Sequence, residues 1–408
     1  MDKCRADLLT IYRTALLAVN GRRCVSEWLT RHPDNDFRHI VAIGKAAAAM
    51  AAGALDVLGN RVDTVLVITR PGYTDPGLVP DGRVLQYVSG HPLPDRHSLE
   101  AGRLLLDFLA ASTPGAPILF LISGGASALV EVPAVGVSLA DLQRSNAWLL
   151  GSGLTIASIN AVRIALSAIK GGRLAEYVSA RPATALLLSD VPGDDPAIIG
   201  SGLLYPSDTP VPLSRLPVWL QALVRHAGGA PRNGRPEADI PHYIIADVAM
   251  ARRAACHRAQ SIGYPVIEHD HLITADVFEV ADYVASILTA GPPALHIWSG
   301  EPTVVLPEHP GTGGRCQSLA LAVALAMSGS SIPWWFLAGG SDGSDGSGTA
   351  AGALIDTDSL ARIRAAGLDA QHCLAAADAG NCLRAANDLL VSGPTGSNVT
   401  DIMIGLRH

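Results

Sequence analysis

Ala185-Leu186-Leu187-Leu188-Ser189-Asp190-Val191-Pro192-Gly193-Asp194-Asp195-Pro196 joins a short apolar run to an abruptly polar one. The apolar half predicts a buried strand, and Pro192, Gly193 and Pro196 prevent a helix from following directly. Asp190, Asp194 and Asp195 then stand just past the carboxyl end of an interior strand. Open α/β sheets bind ligands at that edge. Clustered carboxylates repel one another, so a cation or basic partners are expected beside them. For Asp194 and Asp195 the competing reading is capping of a helix that begins near Ile198.

Upstream the same signature recurs. Ile40-Val41-Ala42-Ile43 leads into Gly44-Lys45 and an alanine-rich helix to about Leu58. Such a strand–glycine–helix turn brings backbone N–H groups and an ammonium to one anion-binding point, although the Walker A spacing is absent. Strands are expected over 62–69 and 84–88. The second runs into Ser89-Gly90-His91-Pro92-Leu93-Pro94-Asp95, where Asp95 caps a helix to about Ala111 and His91 is either a substrate partner or structural. A fourth strand over 117–122 ends in Ser123-Gly124-Gly125-Ala126-Ser127. Its glycines let the backbone approach a ligand closely. Gly125-Ala126-Ser127-Ala128 is also one glycine short of a hydrolase elbow. Ser138 opens a helix, Gly151-Ser152-Gly153 breaks it, and a longer helix runs from Thr155 to about Ile169. Asn160 and Arg163 share one face of it. Lys170 then reads as a basic residue in a last helical turn. Five strand–helix alternations over 38–205 predict a mostly parallel sheet with helices on both faces.

Downstream, 206–241 turns rich in Pro, Arg, Gly and Ser and reads as a linker, dividing the chain into domains over 1–235 and 240–408. Strands are expected over 243–246, 266–267 and 294–298, with Asp247 capping a helix between the first two. His269-Asp270-His271 invites a metal reading but is expected to be a solvent-exposed loop. Ser299-Gly300-Glu301 is followed by a hairpin arm over 303–306. Gly311-Thr312-Gly313-Gly314-Arg315 then opens a strongly apolar helix over 317–327, a second anion cradle. A strand over 335–338 ends in a glycine–aspartate loop in which Asp342, rather than Asp345, is the candidate cation ligand. A polar, glycine-bearing stretch over 391–401 reads as a third ligand-facing loop.

With 408 residues, 49% hydrophobic and 16% charged, the chain suits two well-buried domains. A net charge of -7 and 5% aromatic residues argue against nucleic-acid binding. Cys4, Cys24, Cys256, Cys316, Cys373 and Cys382 form no C-x-x-C pair, so neither disulfides nor structural zinc are expected. No stretch reads as a signal peptide or a membrane span. The expectation is a cytoplasmic protein.

Taken together, these loops resemble those of the class II glycerate kinases, the glycerate 2-kinases of the MOFRL family. The likeness runs through Ile43-Gly44-Lys45-Ala46, Ser89 to Asp95, Ser123-Gly124-Gly125, Lys170-Gly171-Gly172-Arg173 and Ser189 to Pro196. It continues in Ser299 to Val304, Gly313-Gly314-Arg315, Ser341-Asp342-Gly343 and Gly393 to Val399. It implies a Rossmann-like N-terminal α/β domain and a smaller mixed α/β domain, with the active site in the interdomain cleft and the 391–401 tail returning to it. The implied reaction is ATP- and Mg²⁺-dependent phosphorylation of D-glycerate at its 2-hydroxyl; a homodimer is compatible with the sequence, which does not decide the oligomeric state. Lys45, Arg315 and Asp190 would be catalytic. Ser123, Gly124, Gly125, Ser127, His91, Asn160, Glu301, Gly313, Gly314 and Asn398 would bind substrate or phosphate, and Asp190, Asp195 and Asp342 would bind metal.

The chain departs from the family pattern at Ala126, Ser158, Ile164, Ala165, Cys316 and Ser318, and at Gly200 to Leu204. These changes predict a less polar pocket. Two other enzyme readings compete: a serine hydrolase built on Ser127, and a hydroxypyruvate reductase, for which no G-x-G-x-x-G follows a strand. A ligand-binding protein without turnover is a further alternative.

Overall fold

The computed structural model describes residues 3–178, 181–228, 240–346 and 348–407. The chain divides into two compact units, Gly21–Ala246, and Met1–Asn20 together with Asp247–His408.

In the first unit, β1 (His39–Ile43), β2 (Thr64–Thr69), β3 (Val84–Val88), β4 (Ile118–Ile122), β5 (Ala183–Leu188) and β6 (His242–Ala246) form one parallel sheet. Its order is β3-β2-β1-β4-β5-β6. Every residue of β1 and β4 is buried, which explains apolar runs without alternation: both sheet faces are covered. Val41, Ile43, Phe120 and Ile122 pack with Ala101, Leu105 and Leu109 of the helix Arg96–Ala111. The order reverses between β1 and β4, as in a Rossmann-like sheet, so a crevice opens beyond the carboxyl ends of these two strands.

Three local expectations change here. The helix capped by Thr155 ends at Ala165, short of Ile169. Lys170 is no helix-end cation: at 1% exposure it forms a buried ion pair with Glu131, to which Ser167 Oγ also donates at 2.6 Å. After Asp195 no helix begins, only the short 3₁₀ turn Ile199–Ser201. Asp195 accepts from the Ala197 N–H at 2.9 Å, and Asp194 takes a φ of 54°.

In the second unit, β7 (Val266–Ile273), β8 (Leu295–Gly300), β9 (Trp334–Gly340), β10 (Gly352–Asp356), β11 (Leu389–Leu390) and β12 (Asp401–Arg407) form a mixed sheet. Its order is β11-β10-β9-β12-β8-β7, with only β7 and β8 parallel. The helix Arg315–Ala326 packs on β9, β10 and the helix Val277–Ala290, which accounts for its almost wholly apolar sequence. The expected arm over 303–306 is not a strand. Only Thr303 makes a bridge, to Asp276. His269-Asp270-His271 lies within β7 rather than an exposed loop. The His269 ring stacks on Trp298 at 4.7 Å, and its Nε2 lies 3.1 Å from His296 Nδ1.

The unit boundaries differ from the expected cut between 235 and 240. β6 pairs with β5 and satisfies that strand's otherwise open edge. The helix Lys3–Ala18 belongs with the second unit: Tyr12 donates to the Gly340 carbonyl at 2.8 Å and Arg5 pairs with Asp388 at 3.0 Å. Residues 229–239 of the expected linker lie outside the described residues. Cys373 and Cys382 form a disulfide, contrary to expectation. They face each other because a turn at Ala377 folds the helix Ala370–Ala375 back on Ala379–Ala385, a proximity that nine residues of sequence separation do not reveal. The remaining cysteines are buried and not disulfide-bonded.

Candidate active site

At the reversal point the turns after β1 and β4 are laced together. Ser123 N–H donates to the Ile43 carbonyl at 3.0 Å, Lys45 N–H to the Gly124 carbonyl at 3.0 Å, and Ala46 N–H to Ser123 Oγ at 3.0 Å. Gly125, at φ +87°, lies between two candidate site residues. A Cβ there would meet the His91 ring at 3.2 Å and Lys45 Cγ at 3.3 Å. Lys45 and His91 are therefore held on either side of one glycine turn, close to backbone that a ligand can approach.

A cavity of about 230 Å³ opens beside this turn. His91, Gly124, Gly125 and Ser127 supply one wall, Asn146, Asn160 and Arg163 a second, and Asp190 with Val191 a third; Leu150, Ile156 and Ile198 add apolar surface. Arg163 Nε donates to Asn146 Oδ1 at 2.8 Å, and Nη1 reaches Asn160 Oδ1 at 3.5 Å. The Ser127 hydroxyl bonds to Ser201 Oγ at 2.7 Å, and Ser201 in turn donates to Asn160 at 3.1 Å. A hydrolytic serine would need a histidine in that place.

The second unit builds a separate basic centre. Gly314 precedes the helix Arg315–Ala326, and a Cβ on it would fall 2.3 Å from Asp345 Oδ1. Asp345 caps that helix from across the chain, accepting from the Cys316 and Gln317 N–H groups at 3.0 and 2.8 Å. Burial, then the nearby Asp401 charge, raise its carboxyl to about 6. The Arg315 guanidinium grips Asp401 through Nε at 2.5 Å and Nη2 at 3.0 Å, and Glu301 through Nη1 at 2.9 Å. Burial acts to lower its pKa, but the two carboxylates outweigh it, so the guanidinium stays charged.

Residues 7–214 match a family described as a domain of unknown function (DUF4147), and residues 294–401 match the MOFRL family. The chain is 34% identical to a D-glycerate 2-kinase of Thermotoga maritima over 98% of its own length and 97% of that protein. The chain belongs to the MOFRL-type glycerate 2-kinase family. The crystal structure of a Thermotoga maritima glycerate kinase superposes with a TM-score of 0.83 at 31% identity, covering all of both chains. A protein of Agrobacterium vitis carrying a provisional hydroxypyruvate reductase name is 38% identical over 89% of this chain and 97% of its own.

Within this glycerate 2-kinase fold, the residues expected at the site separate into groups. Lys45, Ser123, Gly124, Gly125, His91, Ser127, Asn160 and Asp190 converge on the β1/β4 crevice. Asp195 closes its own turn and does not line the cavity. In the second unit Glu301 is on Arg315, whereas Asp342 accepts from Ser344 N–H at 2.9 Å. Gly313 lines a different cavity of about 310 Å³ with Thr312 and Gln317, and Asn398 is buried. Among the described residues no group of three or more His, Cys, Asp or Glu side chains is placed to hold a metal ion.

The family departures do not make the pocket apolar. Ala126, Ala165, Cys316 and Ser318 are buried packing positions, and Ile164 lies against Gly171. The apolar wall comes instead from Leu150, Ile156, Val191 and Ile198. Sequence reasoning left Asn146, Asp401 and Asp345 without roles. Their partners lie 17, 86 and 28 to 29 residues away.

Proposed function

We propose that this protein transfers the γ-phosphoryl group of ATP to the 2-hydroxyl of D-glycerate. The observation that carries this reading is the crevice at the β1/β4 reversal, where the Gly124-Gly125 turn and the Asp190 carboxylate line one small cavity and Lys45 packs against the same turn. Phosphoryl transfer demands alignment and charge neutralisation more than covalent chemistry, and this set supplies both. Lys45 and the 124–125 backbone would hold phosphate oxygens, and Asp190 would accept the hydroxyl proton as the O–P bond forms. Arg315 is proposed as a second catalytic cation.

A magnesium ion carried on nucleotide phosphates needs only one or two protein carboxylates. Of Asp190, Asp195 and Asp342, Asp190 lines the cavity and would hold the ion if it does not take the hydroxyl proton. The ion would neutralise phosphate charge.

The test is ADP release by purified protein with ATP, Mg²⁺ and D-glycerate, with the product identified as 2-phosphoglycerate by ³¹P NMR. Nucleotide binding without ADP release on any small 2-hydroxy acid overturns the kinase reading. The reductase name of the Agrobacterium relative gives a second reading, which predicts hydroxypyruvate-dependent oxidation of NADH or NADPH in the same preparation.

A further inference from the structure

Arg163, half-buried in the cavity wall, contrasts with several arginines of this chain that pair with carboxylates. Arg5, Arg252 and Arg315 each form an ion pair with a carboxylate. Arg163 is bonded, among the described residues, to two neutral amide oxygens. Both amides are buried, Asn146 at 8% and Asn160 at 4% exposure. Their orientations are fixed from behind: Asn146 Nδ2 donates to the Leu142 carbonyl at 2.9 Å and Asn160 Nδ2 to the Ile198 carbonyl at 3.2 Å. Each Oδ1 is therefore turned to the guanidinium. The nearby Glu131 carboxylate is already taken by Lys170 and Ser167. Burial lowers the Arg163 pKa, and Glu131 only partly compensates.

A desolvated guanidinium without a carboxylate partner is costly, and the cost falls when an anion arrives from outside. With Nε and one Nη1 proton committed to the asparagines, the Nη1–Nη2 edge is left to bind. Two parallel N–H donors match the two oxygens of a carboxylate. The cavity's volume of about 230 Å³ lies below the range of roughly 300–1,000 Å³ for drug-sized ligands, so it suits a small acid better than a nucleotide.

We propose that Arg163, aimed by Asn146 and Asn160, is the carboxylate subsite for the phosphoryl acceptor, so that the cavity selects a small 2-hydroxy acid over its uncharged amide. The word acceptor rests on the kinase reading; the binding of the acid does not. Asn146 and Asn160 are positioning residues in this scheme.

The test compares wild type with Arg163→Gln in the full chain. Calorimetric affinities for D-glycerate, glyceramide and ATP are measured beside steady-state KM values. Hydrogen bonds to charged groups imply a loss on the order of 10–100-fold in D-glycerate affinity. Affinities for ATP and glyceramide should stay within about twofold, and Arg163→Lys should recover part of the loss. Asn146→Ala should raise KM for the acid with little change in kcat. Should Arg163→Gln fail to fold, wild type still decides: D-glycerate, but not ATP, should protect Arg163 from an arginine-selective dicarbonyl reagent, mapped by mass spectrometry.

Unchanged D-glycerate affinity in Arg163→Gln, a fall in ATP affinity instead, or protection by ATP alone overturns the assignment; so does wild type that binds no 2-hydroxy acid. Binding without phosphoryl transfer would overturn the kinase reading and leave the subsite standing. Transfer undisturbed by the substitution would do the reverse.

Discussion

A side chain at position 44 would fall 2.2 Å from the Ser123 hydroxyl and 2.5 Å from its carbonyl oxygen, on backbone at φ +131°. Gly72, at φ +82°, has open space where its Cβ would point. Both would be strained by alanine, but only Gly44→Ala also drives a methyl into the turn that carries Lys45. That extra contact should cost on the order of 1–3 kcal/mol beyond the backbone strain shared with Gly72→Ala. Thermal unfolding of the two variants checks this, and equal Tm values would show that the β1 and β4 turns are not locked together. This part of the site was legible in the sequence, because a glycine directly after a buried strand is a local signal. Arg163 was not: its helical face could be read, but its bond to a neutral amide depends on Asn146 from another helix. Arg315 was recognised as a cation at a helix start, while Asp401, 86 residues on, could not be paired with it in advance.

At the scale of elements, much of the first sheet was legible because β1, β2 and β4 are largely apolar runs followed within two residues by a glycine or proline. The second was less so. β10 and β12 pair antiparallel with β9, and their contacts span too much sequence for local periodicity to show. His269 and His271 of β7 were misread as loop residues for the same reason. His296 is 2% exposed, and burial, then His269, lower its pKa to about 4. A folded pKa below the ordinary 6.5 means that neutral His296 contributes stability fully above about 6.5, lost as pH falls toward 4. Asp345 has the opposite sign. Raised from 3.8 to about 6, it contributes stability that is full below 3.8 and lost as pH rises through 6. The two slopes overlap, so the wild-type profile alone is uninformative. His296→Phe separates them: the Tm difference, variant minus wild type, should become steadily more positive from pH 7 to 4.5. A difference independent of pH would show that His296 does not titrate in this way.

For the whole molecule, Lys45 and Arg315 are both proposed to be catalytic, and the test is whether their effects on rate are coupled. Lys45→Met keeps bulk and removes the ammonium. Arg315→Lys keeps charge but cannot reproduce the paired donors now given to Asp401. Each should lower kcat on the order of 10²–10³, as removal of one transition-state donor does. Loss of the fork also leaves buried Asp401 less well bonded, so folded fraction must be measured before rates are compared. The double variant is the decisive measurement, because groups that work as one unit are strongly non-additive. If both neutralise the same developing charge, removing the second should cost far less than it does in wild type. A double variant whose loss equals the product of the single losses would mean that the residues serve independent steps. Folded single variants with near wild-type kcat would place the chemistry elsewhere.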